Sequence, residues 1–175
     1  PPCGQGAGGF PGVSRKADAL SDAPFRIYTG DVSAMDEGKA VPDTDEYAKL
    51  FAMPDPRHDS AAYWGECSSW SDLEGEFIAV AFADGARFAT RTDMIRELLL
   101  VNPRCVMEEV NPSTNLVNAY TISDGSRTWR IPAESVWHWK RFNPLNPNRG
   151  MSRLQSALLG MQGTFRGDQF VRAQA

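Results

Sequence analysis

Side chains able to attack, shuttle a proton or hold a metal are few in this chain, and their spacing is unhelpful to all three tasks. His138 is the only histidine in a stretch patterned for regular structure, and its strand offers neither a carboxylate nor a cysteine at a spacing that implies a triad. A histidine satisfied by a structural hydrogen bond is the expectation. The acid pairs Glu108-Glu109 and Glu74 with Glu76 could divide acid and base roles if their environments separated their pKa values, but on short strands they are expected at solvated edges. Cys3, Cys67 and Cys105 are far apart, form no CxxC and have only His58 and His138 to help them, so neither a zinc cage nor a disulfide-dense scaffold is indicated. Reduced thiols are expected. The run Gly4-Gln5-Gly6-Ala7-Gly8-Gly9 has no strand before it and no Gly-Lys-Ser/Thr after it, so no helix N-terminus focuses its amides on a phosphate. No catalytic residue, cofactor or metal is therefore expected.

The elements that would position these residues are readable in outline. Residues 1–43 read as a flexible arm: the first 24 are rich in Gly and Pro without periodicity, and Phe25-Arg26-Ile27-Tyr28 could at most be an isolated strand. Thr44–Met53 predicts a helix with Thr44 at its cap, Asp45 and Glu46 in its first turn and Tyr47, Leu50 and Phe51 at helical spacing, stopped by Pro54 and Pro56. A second helix is predicted over Ser60–Leu73, with Trp64 and Trp70 as core knobs. After Gly75 the period changes. Phe77–Phe82, the turn pair Asp84-Gly85 and Arg87-Phe88-Ala89 form a hairpin pattern, and short strands then end at Asn102-Pro103, Asn111-Pro112, Asp124-Gly125, Pro132 and Asn143-Pro144. The expectation is one antiparallel meander over residues 76–142, then an amphipathic helix over 150–172, giving an α+β fold in a domain spanning 44–175. In the last strand Val136, His138 and Lys140 share one face, and Trp137, Trp139 and Arg141 the other.

Composition bounds the function classes. With 175 residues, 42% of them hydrophobic and 23% charged, the chain supports one core and is not wholly disordered. Its apolar runs are too short for a bilayer-crossing helix, and no secretory signal opens it, so no membrane partner is expected. The formal charge of −4 is unevenly spread, with an acidic first half and a basic excess from Arg127 onward. The opening Pro1-Pro2-Cys3, without an initiator Met, suggests a piece of a longer polypeptide.

Four strings taken in order, Leu98–Val106, Tyr120-Thr121-Ile122, Trp129–Trp139 with its Ile131-Pro132-Ala133-Glu134-Ser135-Val136-Trp137-His138 core, and Gly150-Met151-Ser152-Arg153-Leu154-Gln155-Ser156-Ala157, resemble the tailed-bacteriophage portal proteins of the HK97-like group. Leu50–Pro56 is similar to that family's helix ending in Pro-x-Pro. Leu73–Ile78 is similar to its Leu-x-Gly-Asn-Ala-Tyr strand start, with Glu76 standing where Asn is usual. The likeness runs from Thr44 to Arg172 and corresponds to the N-terminal part of the wing domain, without stem, clip or crown.

The resemblance implies a dodecameric ring of identical subunits at one capsid vertex, assembled in the host cytoplasm and retained in the virion. Through such a ring double-stranded DNA is packaged and ejected, and the partners it implies are the major capsid protein, the terminase large subunit and a head–tail adaptor. It implies no enzyme activity. Among the motif residues, Pro132 suits a strand edge, Gly150 a positive φ or a close backbone approach, Ser152 a helix cap, and Leu154 the start of a buried stripe. Arg127, Arg130, Lys140, Arg141, Arg149 and Arg153 are expected to meet the acidic half of a neighbouring subunit or to face DNA without reading its sequence. The alternative reading is a small nucleic-acid-binding module that uses this basic third with Trp137 and Trp139 as stacking platforms.

Overall fold

The computed structural model describes residues 15–19, 27–29, 39–85, 87–158 and 161. In chain order these form α1 (residues 15–19), β1 (Tyr28–Thr29), β2 (Lys39–Ala40), α2 (Glu46–Ala52), α3 (Ser60–Leu73), β3 (Glu76–Ala83), β4 (Arg87–Phe88), β5 (Glu97–Val101), β6 (Val106–Val110), β7 (Val117–Ser123), β8 (Thr128–Pro132), β9 (Val136–Lys140) and α4 (residues 153–158). The class is α+β with antiparallel sheets.

β3 organises the rest. Its sequence, Glu-Phe-Ile-Ala-Val-Ala-Phe-Ala, is an almost unbroken apolar run because both of its faces are covered. Phe77, Ala79, Ala81 and Ala83 face α2 and α3, joining Leu50, Tyr63, Trp64, Cys67 and Trp70 in one cluster. The three small alanines leave room for the bulky rings of α3. Ile78 and Val80 face the other way and pack on Val106, Tyr120, Ile122 and Ile131 of a second sheet. The alternation of side chains along one strand thus builds two cores, and the domain has three layers: helices, a first sheet, a second sheet.

The single meander expected over 76–142 is corrected to two sheets. β6, β7 and β8 do form a meander of their own. β9, however, leaves it and returns to β3, pairing Glu76 with Lys140, Ile78 with His138 and Ala79 with Trp137. β5 takes the opposite edge of β3, with Ile78 across from Val101 and Phe82 across from Glu97. Turn residues mark where strands end, but the choice of partner depends on which apolar faces must be covered, and that is not local information. Returning to β3 puts Trp137 against Phe77, Trp64 and Phe51 at centroid separations of 5.2, 6.2 and 6.2 Å, contacts each worth about 0.5–1.5 kcal/mol beyond area burial.

The helices follow their caps. Asp45, one residue after the expected Thr44, accepts from the Tyr47 and Ala48 amides, and Asp59 accepts from Ala62. α3 ends on Gly75, whose φ of +79° is the left-handed conformation that closes helices. Between α2 and α3, Asp55 is fully buried and accepts from the Arg57 amide and guanidinium and from His58. The Pro54 carbonyl accepts from Leu98, tying this linker to β5.

Within the stretch read as an arm, residues 15–19 are helical, Ala17 is buried and Lys16 pairs with Asp72 of α3 at 2.9 Å. The possible isolated strand is instead paired, Tyr28 with Ala40. Of the helix expected over 150–172, residues 153–158 and 161 are helical, and the remainder beyond 158 lies outside the described residues. Cys67 is a free, buried thiol that burial and the charge of Glu66 push up to about 12. Cys105 is disulfide-bonded, against the expectation of reduced thiols.

Candidate functional site

The densest polar constellation lies where β3 begins. Glu76 has 1% of its surface exposed, and the expectation of a solvated strand edge is overturned because β9 and the loop before α4 both cover it. His138 meets its Oε2 at 3.0 Å through Nε2, and Nδ1 of the same ring meets the Tyr120 hydroxyl at 3.0 Å. An ionised carboxylate only accepts, so Nε2 carries the proton. The Gly150 amide also donates to Oε2, and the Arg149 guanidinium pairs with Oε1. Burial pushes the Glu76 carboxyl up, but the hydrogen bonds from His138 and Gly150 and the charge of Arg149 outweigh it and hold the group below its ordinary range. Burial, with the charges of Glu108 and Glu76, pushes the Tyr120 phenol up and keeps it protonated.

Arg149 extends the junction across three segments. Beyond Glu76, it donates to the Val106 carbonyl at 2.7 Å and the Pro103 carbonyl at 2.9 Å, with Glu108 Oε2 at 3.5 Å. Glu108 Oε1 is buried without a hydrogen-bond partner. The approach that allows this is glycine on glycine: a Cβ on Gly75 would overlap the Met151 backbone, and one on Gly150 would overlap the Gly75 carbonyl. The close backbone approach expected of Gly150 is therefore the one that applies.

The other motif residues divide. Ser152 is buried and caps α4, its Oγ accepting from Gln155 at 2.9 Å. Pro132 ends β8, an edge strand paired only with β7, where a missing amide costs little. His138 has the structural partners expected of it. Leu154 is corrected: it is 51% exposed, because nothing among the described residues packs over α4.

The six basic residues are not gathered into one surface. Arg149 is absorbed in the junction. Arg141 donates to Ser71 and Asp72 of α3 and lies 5.6 Å from the Trp139 ring. Arg130 pairs with Glu109 on the outer face of the second sheet, and Lys140 donates to the Pro147 carbonyl. Arg127 and Arg153 are exposed. Of the two tryptophans, Trp137 is committed to the helix-side core and Trp139 stacks on Phe77 at 5.5 Å, so they do not form a paired stacking platform.

This three-layer arrangement recurs in solved assemblies. Superposition over 92% of the chain gives a TM-score of 0.62 and 17% identity with a chain from the neck of a native gene transfer agent particle, computed with C12 symmetry. A chain from the neck of the empty particle, computed with C6 symmetry, gives 0.65 and 18%, and one from the native virion gives 0.63 and 16%. The chain has their fold. It spans 39–40% of the length of those chains. No protein-family model matches the sequence, and no curated protein matches it significantly.

Within the shared fold, the junction's chemistry is that of a fastening. Each reactive atom of Glu76 and His138 points at a protein partner. Among the described residues no group of three His, Cys, Asp or Glu side chains could hold a metal, and no helix is long and apolar enough to cross a membrane. A groove of about 370 Å³ opens between the sheets, lined by Phe82, Phe88, Leu99, Val101, Ile122 and Trp129, without a titratable pair facing it. Sequence reasoning missed Glu76 and Arg149 as partners. The available signal was a lone carboxylate heading an apolar strand directly after a glycine, a position that burial on both faces would force to find a cation.

Proposed function

We propose that this chain is wing-like material of a portal-type ring protein in a phage-like particle, located at the capsid vertex through which double-stranded DNA enters and leaves. The observation that carries the reading is the fold shared, over nearly the whole chain, with chains of gene transfer agent necks computed with twelvefold and sixfold symmetry. The ordered portal-like motifs support it from the sequence side, since the Gly75–Ile78 and Gly150–Leu154 motifs meet in space at one junction. On this reading the protein is a homo-oligomer, dodecameric in the finished particle and assembled in the host cytoplasm. Its partners are the major capsid protein, the terminase large subunit and a head–tail adaptor.

The role is mechanical rather than catalytic. A heterologous interface repeated around a closed ring joins two different surfaces of the same chain, which suits an acidic first half and a basic second half. Exposed Arg127 and Arg153 are the basic residues best placed for such contacts or for nonspecific contact with DNA phosphates. Native mass spectrometry and negative-stain microscopy of the full-length gene product test the reading: rings of twelve are expected. A product that stays monomeric at every concentration, or that turns over nucleotide in a manner abolished by His138→Ala, overturns it.

A further inference from the structure

α4 is placed in an unusual way. Its apolar residues Leu154 and Leu158, with Met161 one turn further on, recur on one helical face, yet they are 51%, 59% and 59% exposed, so among the described residues no apolar packing holds the helix where it is. One short segment does. Arg149 reaches Glu76 of β3 and the carbonyls of Pro103 and Val106, Gly150 donates to Glu76, and Asn143 Nδ2 donates to the Gly150 carbonyl at 3.2 Å. Met151 and Ser152 are buried immediately afterwards, and the Ser152 side chain and carbonyl accept from Gln155 and Ser156. The first turn of α4 is thus built directly on the junction.

We propose that the Glu76–Arg149–Gly150 junction is a latch that sets the direction in which α4 leaves the two-sheet body, with Glu76 and Arg149 as positioning residues. Apolar contacts are non-directional, whereas charge-assisted hydrogen bonds converging on one buried carboxylate fix both distance and angle. The latch is cooperative. Withdrawing Arg149 leaves Glu76 buried with its charge only half answered, so opening requires the loop and the carboxylate to lose their partners together. Once released, the first turn of α4 loses the Ser152 cap and frays. Glu108 is a weaker acceptor on the same guanidinium and is not the anchor. The latch is a property of the single chain and does not depend on the ring reading.

Amide hydrogen exchange followed by NMR on the full chain tests it, using Arg149→Gln. The Gly150, Gln155 and Ser156 amides are expected to exchange at least about tenfold faster and with little dependence on low urea, as for a local opening, while Val80, Leu99 and the other β3–β5 ladder amides exchange only through the strongly urea-dependent global opening. Glu108→Gln is expected to leave the Gly150 amide within about threefold of the parent chain. If Arg149→Gln does not fold, Glu76→Gln carries the same comparison. Unchanged exchange at Gly150, Gln155 and Ser156 overturns the latch. Exchange at these three amides that follows urea as steeply as the ladders does so too, because it marks opening only with the whole domain and a merely stabilising role, and equal release by Glu108→Gln overturns the assignment to Glu76.

Discussion

The two faces of β3 solve the same burial problem in opposite ways. On the helix side, Phe77, Ala79 and Ala81 meet Trp64, Trp70, Leu98 and Trp137 in an apolar cluster. On the sheet side, Ile78 and Val80 sit in an equally apolar core, but the strand's first residue plants a carboxylate at its end that only Arg149, His138 and Gly150 can satisfy. The helix side is held by area and tolerates exchange of one apolar shape for another. The sheet side adds a directional fastening, which tolerates loss of a partner badly but fixes a specific approach of distant segments.

The largest expected effect comes from breaking the fastening. Glu76→Ala strands Arg149 and His138 and is expected to cost about 3–5 kcal/mol in urea denaturation. Next, Gly150→Ala places a methyl group on the Gly75 carbonyl, and since backbone must move to admit it, a loss of about 1–3 kcal/mol is expected in the same experiment.

A third test uses pH. The folded Glu76 carboxyl lies below its unfolded value, so the stability it contributes is fully present above the unfolded pKa and drains away as pH falls through the folded one. Glu76→Gln should flatten the decline of the urea midpoint in the acid range relative to the parent chain. Parallel declines would show that other depressed carboxylates, such as Asp55, account for the slope.

On the other face, Leu98→Met changes shape but not class at a position 3% exposed, and less than about 1.5 kcal/mol is expected. A larger cost would erase the contrast between the faces. The smallest effect belongs to Arg130→Ala: its exposed pair with Glu109 lies on the solvent side of the second sheet, and its melting curve is expected to overlay that of the parent.

What the sequence by itself determined is local. The switch of period after Gly75, the Asp-Gly and Asn-Pro turns, the span of α3 and the capping role of Ser152 follow from propensities and hydrogen bonds within a few residues. The expectation that His138 has hydrogen-bond partners needed only its place on a strand, but that they are Glu76 and Tyr120 was decided by the sheet pairing. The tertiary structure alone decided that β9 abandons its neighbours for β3, that Glu76 is buried, and that Arg149 and Arg141 are occupied within the chain. It also decided that Leu154 stays exposed, because a helical stripe states only that one face is apolar and not whether anything covers it. The reason is common to all four: strand pairing and the matching of buried charges are settled between residues about 40 to 75 positions apart, where the chain's local pattern carries no address and only the competition to cover both faces of one strand selects the partner.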